Sequence, residues 1–141
     1  MSGIAIRAGE VPDLAAFLEE RIYESNAAAT GYNDAEVFSA ARVSDCGDIE
    51  AGVYGFTWGG CCFVSHLWVC GHLRGKGIGT ALLSAVEHHA GNRGCKLVCL
   101  SSHSFQAPTF YVRRGYEPVA RISDYPVGHA DVIFVKRPDR S

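Results

Sequence analysis

The chain has no apolar run approaching the ~20 residues a membrane-spanning helix needs. An excess of charge of one sign is also missing: 13 Lys and Arg stand against 15 Asp and Glu, a formal net charge of -2. A surface that neutral does not suit a nucleic-acid binder, which must neutralise many phosphates, although a cluster of backbone N–H groups could still hold one small anion. The start, Met1-Ser2-Gly3-Ile4-Ala5-Ile6-Arg7, lacks the charged region and apolar run of a signal peptide, so a cytoplasmic protein is expected. Paired metal-ligand spacings are absent as well. Cys61 and Cys62 are adjacent and would point to opposite faces of a strand, His88 and His89 are adjacent on a helix, and Cys70 with His72 has no second pair. No metal is expected.

Cysteine itself is not scarce, at 6 residues. Cys61, Cys62, Cys70 and Cys99 lie in apolar strand-like runs, and no export signal accompanies them. Together with Cys46 and Cys95 they read as reduced thiols acting as small hydrophobes, not as a disulfide framework. A hydrophobic share of 48% and a charged share of 20% over 141 residues suit one domain, 1–141. Such a chain buries about two thirds of its unfolded surface.

Periodicity and turn residues order the elements. Gly3 to Ala8 reads as a short opening strand. Pro12, at a first helical position, opens a helix with Leu14, Phe17, Leu18 and Ile22 on one face, fading before Gly31. Three strands follow: Val37 to Val43, Ile49 to Trp58 and Cys61 to Cys70, the last two joined by the hairpin signal Gly59-Gly60. Cys61 to Cys70 is apolar on both faces and is expected at the centre of its sheet. Ile78, Ala81, Leu82, Ala85, Val86 and His89 recur at helical spacing, so a helix runs from near Gly77 to Gly91 or Gly94. Lys96 to Ser101 is a strand, Pro108 opens a short helix closed by Gly115, and Tyr116 to Ile122 with Asp131 to Lys136 form a last strand pair. The order is β-α-β-β-β-α-β-α-β-β, an α/β (α+β) chain with a sheet of mixed direction, without internal repeat or linker.

Between the central strand and its helix lies Arg74-Gly75-Lys76-Gly77-Ile78-Gly79. A strand, a glycine turn and a helix N-terminus together make an anion site, because the first N–H groups of the helix have no intrahelical partner and the helix dipole is positive there. Glycine allows a phosphate close to the backbone, and Arg74 and Lys76 add charge. Two familiar phosphate motifs fail on spacing. A P-loop needs Ser or Thr after its lysine, and Lys76 is followed by Gly77. A dinucleotide fingerprint needs G-x-G-x-x-G and a later acidic residue, whereas Gly75, Gly77 and Gly79 give G-x-G-x-G.

The pattern present, R-x-x-G-x-G from Arg74 to Gly79, resembles the acetyl-CoA-binding motif of the GCN5-related N-acetyltransferase (GNAT) superfamily. Downstream, Ala107…Phe110-Tyr111…Gly115-Tyr116 looks like the superfamily's helix "A-x-x-F/L-Y-x-x-x-G-F/Y", and the element order from Gly3 to Arg137 follows as well. The resemblance implies a single-domain, mostly antiparallel sheet flanked by helices and splayed between the fourth strand, Cys61 to Cys70, and the fifth, Lys96 to Ser101. It implies that acetyl-CoA lies in that opening, its pantetheine arm on the backbone of Leu67, Trp68 and Val69. The pyrophosphate would then sit on Arg74, Gly75, Lys76, Gly77, Ile78, Gly79 and Thr80. Ser104 stands where many relatives carry a cofactor-contacting Asn.

The implied chemistry is direct attack of a primary amine on the thioester, with no metal. Tyr111 matches the tyrosine that protonates the departing thiolate in many relatives. Relatives often carry a Glu base on the strand leading into Leu-x-Val, where this chain has Ser65-His66. An imidazole titrates near neutral pH, which makes His66 the candidate base. His103 and Glu117 are weaker candidates for the base. Tyr32, Tyr125 and His129 are expected to shape the acceptor pocket. The resemblance favours a small-molecule-type member. Alternatives are a non-catalytic CoA-binding or sensing domain and a protein amine acetyltransferase, and a homodimer is compatible with either.

Overall fold

Pro12 and Gly31 bracket the first helix, α1 (Pro12–Thr30), which extends through the alanine-rich stretch where the apolar periodicity fades. Helix propensity carries that stretch, since Ala is the best helix former. The Gly31 N–H closes the last turn on the Ala27 carbonyl at 2.8 Å. The computed structural model describes residues 3–138, and α1 belongs to a first compact unit that ends at Asn33. Gly3 to Ala8, expected as a strand, carries no ladder. The correction has a local reason: only Ile4 and Ile6 there favour extended pairing, and Gly3, Ala5 and Ala8 add nothing to hold it.

The second unit begins at Asp34. It contains β1 (Glu36–Val43), β2 (Ile49–Trp58), β3 (Cys61–Val69), a 3-10 turn (Gly71–Leu73), α2 (Ile78–Asn92), β4 (Leu97–His103), α3 (Pro108–Arg113), β5 (Glu117–Ser123) and β6 (Ala130–Lys136). The sheet has six strands in the order β1-β2-β3-β4-β6-β5. Every pairing is antiparallel except β3 with β4. Gly59 and Gly60 both hold positive φ, 56° and 86°, as the tight hairpin between β2 and β3 requires. β3 is central, as expected from its composition. It is not covered throughout, since Trp68 keeps 50% exposure.

Alternation along β4 separates the two faces of the sheet. Val98, Leu100 and Ser102 are buried on one face, with Phe134 of β6 and with Leu82, Leu83, Val86 and Ala90 of α2. Each large apolar side chain buried there contributes roughly 1.5–3 kcal/mol. The Tyr116 hydroxyl donates to Glu87 at 2.9 Å, and Lys136 Nζ donates to the other oxygen of Glu87 at 2.9 Å, tying α2 to the last hairpin. Cys99, Ser101 and His103 point to the opposite face by the same alternation.

One irregularity positions the site. Tyr54 pairs with His66 and Gly55 with Val64, so Ser65 is an extra residue in β3, a bulge that bends the strand. Gly55 is obligatory opposite it: a Cβ there would lie 2.2 Å from the Phe63 carbonyl oxygen.

Candidate active site

β3 and β4 share only three register pairs, Cys61 with Leu97, Cys62 with Val98 and Phe63 with Cys99. Past the bulge the strands part. The backbone edge of β3 from Val64 to Val69 then faces an opening instead of a neighbour, and a cavity of about 870 Å³ occupies it. β3 supplies one wall, Leu100 to Ser102 of β4 the other, and α3 closes the side with Phe110 and Tyr111.

The glycine turn stands at one end. Gly77 caps α2 at φ 84°, and the first helical hydrogen bond runs from the Ala81 N–H to its carbonyl at 3.0 Å. The N–H groups of Ile78, Gly79 and Thr80 therefore precede the first intrahelical bond and are available to a ligand. No acidic residue stands in this first turn to compete with an anion. A Cβ on Gly77 would meet no atom within 4 Å, so open space lies directly before that backbone. Arg74 folds back, its Nε donating to the Val69 carbonyl at 3.0 Å, and joins Gly75, Gly77, Ile78, Gly79 and Thr80 along the cavity. Lys76 is exposed and outside the lining, because the turn directs its side chain to solvent.

Tyr111 forms part of the opposite wall. Its ring is 8% exposed and packs against Phe110, Tyr116 and Phe134 at centroid separations of 5.1, 5.9 and 5.7 Å. Burial raises the phenol above its ordinary pKa, since the phenolate would lose its hydration. Arg114 secures this wall to the glycine turn. Its Nε and Nη2 both donate to Thr80 Oγ1, Nη1 donates to the Phe110 carbonyl at 3.0 Å, and the guanidinium lies 3.9 Å from the Phe110 ring centroid. Sequence reasoning did not select Arg114, whose only local signal is its i+4 spacing from Phe110.

The residues expected near the acceptor are distributed unevenly. His66 lines the cavity and is exposed, and among the described residues its ring has no hydrogen-bond or ion-pair partner. Tyr125 and His129 stand in the turn between β5 and β6. Tyr125 meets the His103 ring at 5.1 Å, His129 meets Phe105 at 5.0 Å, and Phe105 lines the cavity. Ser104 does not line it. Its hydroxyl accepts from the Ala130 N–H at 3.0 Å, while the neighbouring Gln106, which the motif reading passed over, does line it. Tyr32 follows α1 at the end of the first unit, where its N–H donates to Thr30 Oγ1 at 3.2 Å. All six cysteines are free, and burial pushes the Cys62 thiol up to about 12. Among the described residues no helix is long and apolar enough to cross a membrane, and no three metal-ligating side chains converge.

A glycine-cradled helix start at the mouth of a splayed parallel strand pair coincides with a family match. The model of the acetyltransferase (GNAT) domain fits residues 32–118. The chain belongs to the GNAT acetyltransferase family. This GNAT chain is 34% identical over 102 residues to the blasticidin-S acetyltransferase of Streptomyces morookaense, covering 72% of its own length and 75% of the relative's. An acetyltransferase from Bacillus cereus superposes with a TM-score of 0.78 at 28% identity, covering 94% of this chain and 97% of the other. The fold is also that of an aminoglycoside 6′-N-acetyltransferase solved in complex with coenzyme A, at TM-score 0.64 and 16% identity, covering 89% and 87%. The GNAT chain is thus an acetyltransferase, and its sheet is the mixed, splayed sheet that the resemblance implied.

Proposed function

We propose that the protein transfers the acetyl group of acetyl-CoA to a primary amine of a small molecule by direct attack. One observation carries the reading: the β3–β4 ladder stops at Phe63, and the glycine turn and Tyr111 border the opening that results. The open edge of β3 offers an extended pantetheine arm the backbone partners that β4 has withdrawn, and it spares buried N–H and C=O groups from going unpaired. The pyrophosphate is held by the N–H groups that begin α2, supported by Arg74 and the Thr80 side chain. Lys76 contributes long-range charge only.

In the reaction, the amine nitrogen bonds to the acetyl carbon, and backbone N–H groups of Leu67 to Val69 hold the oxyanion. The carbon–sulfur bond breaks, the Tyr111 hydroxyl passes its proton to the departing sulfur, and the amine gives up its own proton on the acceptor side. Leu100 packs in the core with α2, Ser101 alternates to the opposite face of the sheet, and both border the opening. Tyr125 and His129 are assigned to the acceptor side. The name of the Streptomyces relative supports a small-molecule acceptor.

Thermal shift with acetyl-CoA, CoA, ATP and NAD, followed by thiol release with blasticidin S and a panel of small primary amines, tests the reading. Selective stabilisation by the CoA compounds and thiol release with at least one amine are expected. Preference for ATP or NAD overturns it. Binding of acetyl-CoA without thiol release for any amine makes the protein a CoA-binding domain instead.

A further inference from the structure

The proton lost by the amine needs a receiver, and the reading of the site above leaves that receiver open. His66 lines the cavity, but among the described residues no hydrogen bond or ion pair orients its ring. A second histidine stands at the end of β4, two residues beyond Ser101 and on the same face of the sheet. His103 Nδ1 lies 3.0 Å from the Tyr125 carbonyl oxygen and 3.5 Å from Asp131 Oδ1. A carbonyl can only accept, so Nδ1 must carry the hydrogen, and in the neutral ring Nε2 keeps its lone pair. Asp131 is buried at 7% exposure and pairs directly with His103 across the β4–β6 ladder. Its carboxylate therefore stands beside the imidazole, on the Nδ1 side.

The ring is also held in place. Phe105 stacks on it at 5.4 Å with 1° between planes, Tyr125 meets it edge-on, and Gln106 Oε1 accepts from the His103 backbone N–H at 2.7 Å. Phe105 and Gln106, which hold His103, also line the cavity, as does Ser101 two residues back on the same strand, while His103, Tyr125 and Asp131 stand outside that lining.

We propose that His103, oriented by the Tyr125 carbonyl and Asp131, is the general base that takes the proton from the acceptor amine. The inference rests on the acetyl-transfer reading. As the nitrogen–carbon bond forms, an N–H bond of the amine breaks and its proton moves to His103 Nε2, directly or through one water. The imidazolium returns that proton to solvent after the product leaves. The titratable groups around the ring are Asp131 from β6 and Tyr125, Asp124 and His129 from the turn before it. Asp131 is the one whose charge touches Nδ1, and His129 is separated from the ring by Phe105.

The experiment combines three measurements on the full chain. Nitrogen-15 NMR of the wild-type histidines, which needs no acceptor, is expected to show His103 with Nδ1 protonated and Nε2 bare above its titration. The opposite tautomer overturns the proposal, even where the protein proves an active acetyltransferase. The pH profile of kcat/KM, read by thiol release with acetyl-CoA and an amine from the panel, is expected to have an acidic limb that His103→Gln abolishes. That variant loses about 10²–10⁴-fold at neutral pH, with acetyl-CoA affinity by calorimetry retained. Asp131→Asn removes the carboxylate beside Nδ1, so kcat/KM is expected to fall while acetyl-CoA affinity by calorimetry is retained. A limb that survives in His103→Gln and disappears in His66→Gln makes His66 the base, and kcat/KM unchanged in Asp131→Asn removes Asp131 from the proposal. If no acceptor is turned over, it is the acetyl-transfer reading that fails, and the tautomer measurement still decides how His103 is held.

Discussion

Tyr111 and Gly77 show how a single residue carries two requirements at once. The Tyr111 phenol is buried among aromatic rings, which raises its pKa above the ordinary value near 10 and keeps it protonated throughout the neutral range. A group in that state can donate a proton without first acquiring charge. Tyr111→Phe keeps the ring packing and removes the donor, so kcat is expected to fall by about 10²–10⁴-fold while the dissociation constant of acetyl-CoA stays nearly unchanged. A loss confined to affinity would make Tyr111 a binding residue. Gly77 combines φ 84° with empty space before its Cα. Gly77→Ala strains the backbone by about 1–2 kcal/mol and meets no protein atom. The fold should persist by circular dichroism while acetyl-CoA binding weakens by roughly tenfold or more, the cost of about 1.4 kcal/mol of displaced contact. Unchanged affinity in a folded variant would remove the glycine turn from the cofactor site.

At the level of elements, the bulge in β3 and the clip between α2 and α3 set the site's geometry. Ser65 is accommodated because Gly55 lets the Phe63 carbonyl come within 2.2 Å of where a Cβ would stand, with Phe38 Cζ at 2.7 Å on the other side. The Phe63 carbonyl cannot retreat without disturbing the β2–β3 ladder, whereas the Phe38 ring, from β1, can turn aside. Gly55→Ala is expected to destabilise the protein by about 1–3 kcal/mol, measured as a lower urea midpoint. A midpoint equal to wild type would show that the strand yields freely there. The Arg114 clip acts across a longer separation, joining Thr80 of α2 to the Phe110 carbonyl beside Tyr111. The glycine turn and the helix that carries Tyr111 are thereby held as one wall.

For the whole molecule, the cavity of about 870 Å³ runs between the two halves of the sheet, which are joined there by only three register pairs. A ligand that bridges them adds a connection the chain lacks and binds the folded state alone. At one hundred times its dissociation constant, acetyl-CoA is expected to stabilise the fold by about 2.7 kcal/mol. For a chain of 141 residues that corresponds to a rise in Tm of roughly 5–10 °C. Equal shifts with ATP would contradict the proposal that a pantetheine arm occupies the opening, since ATP supplies phosphates but no extended amide arm.

Glycines and prolines made several boundaries legible from the sequence alone. Pro12, Gly59-Gly60, Gly77, Pro108 and Gly115 mark starts, stops and a hairpin through φ values and missing N–H groups that belong to one residue at a time. The glycine turn and the Tyr111 helix were readable for the same reason, as short contiguous patterns. Strand pairing is different in kind, because a ladder is formed with a partner far along the chain and leaves no local mark. Only the tertiary structure showed that Gly3 to Ala8 forms no strand, that β6 lies between β4 and β5, and that Ser65 is an extra residue in β3. The same holds for the two arrangements that sharpen the chemistry. His103 meets Asp131 and Tyr125 through the register of β4 with β6, and Arg114 meets Thr80 through the packing of α3 beside α2. Their residue types are ordinary and their spacing in sequence is arbitrary, so function arises there from which backbone segments the fold brings within hydrogen-bonding distance.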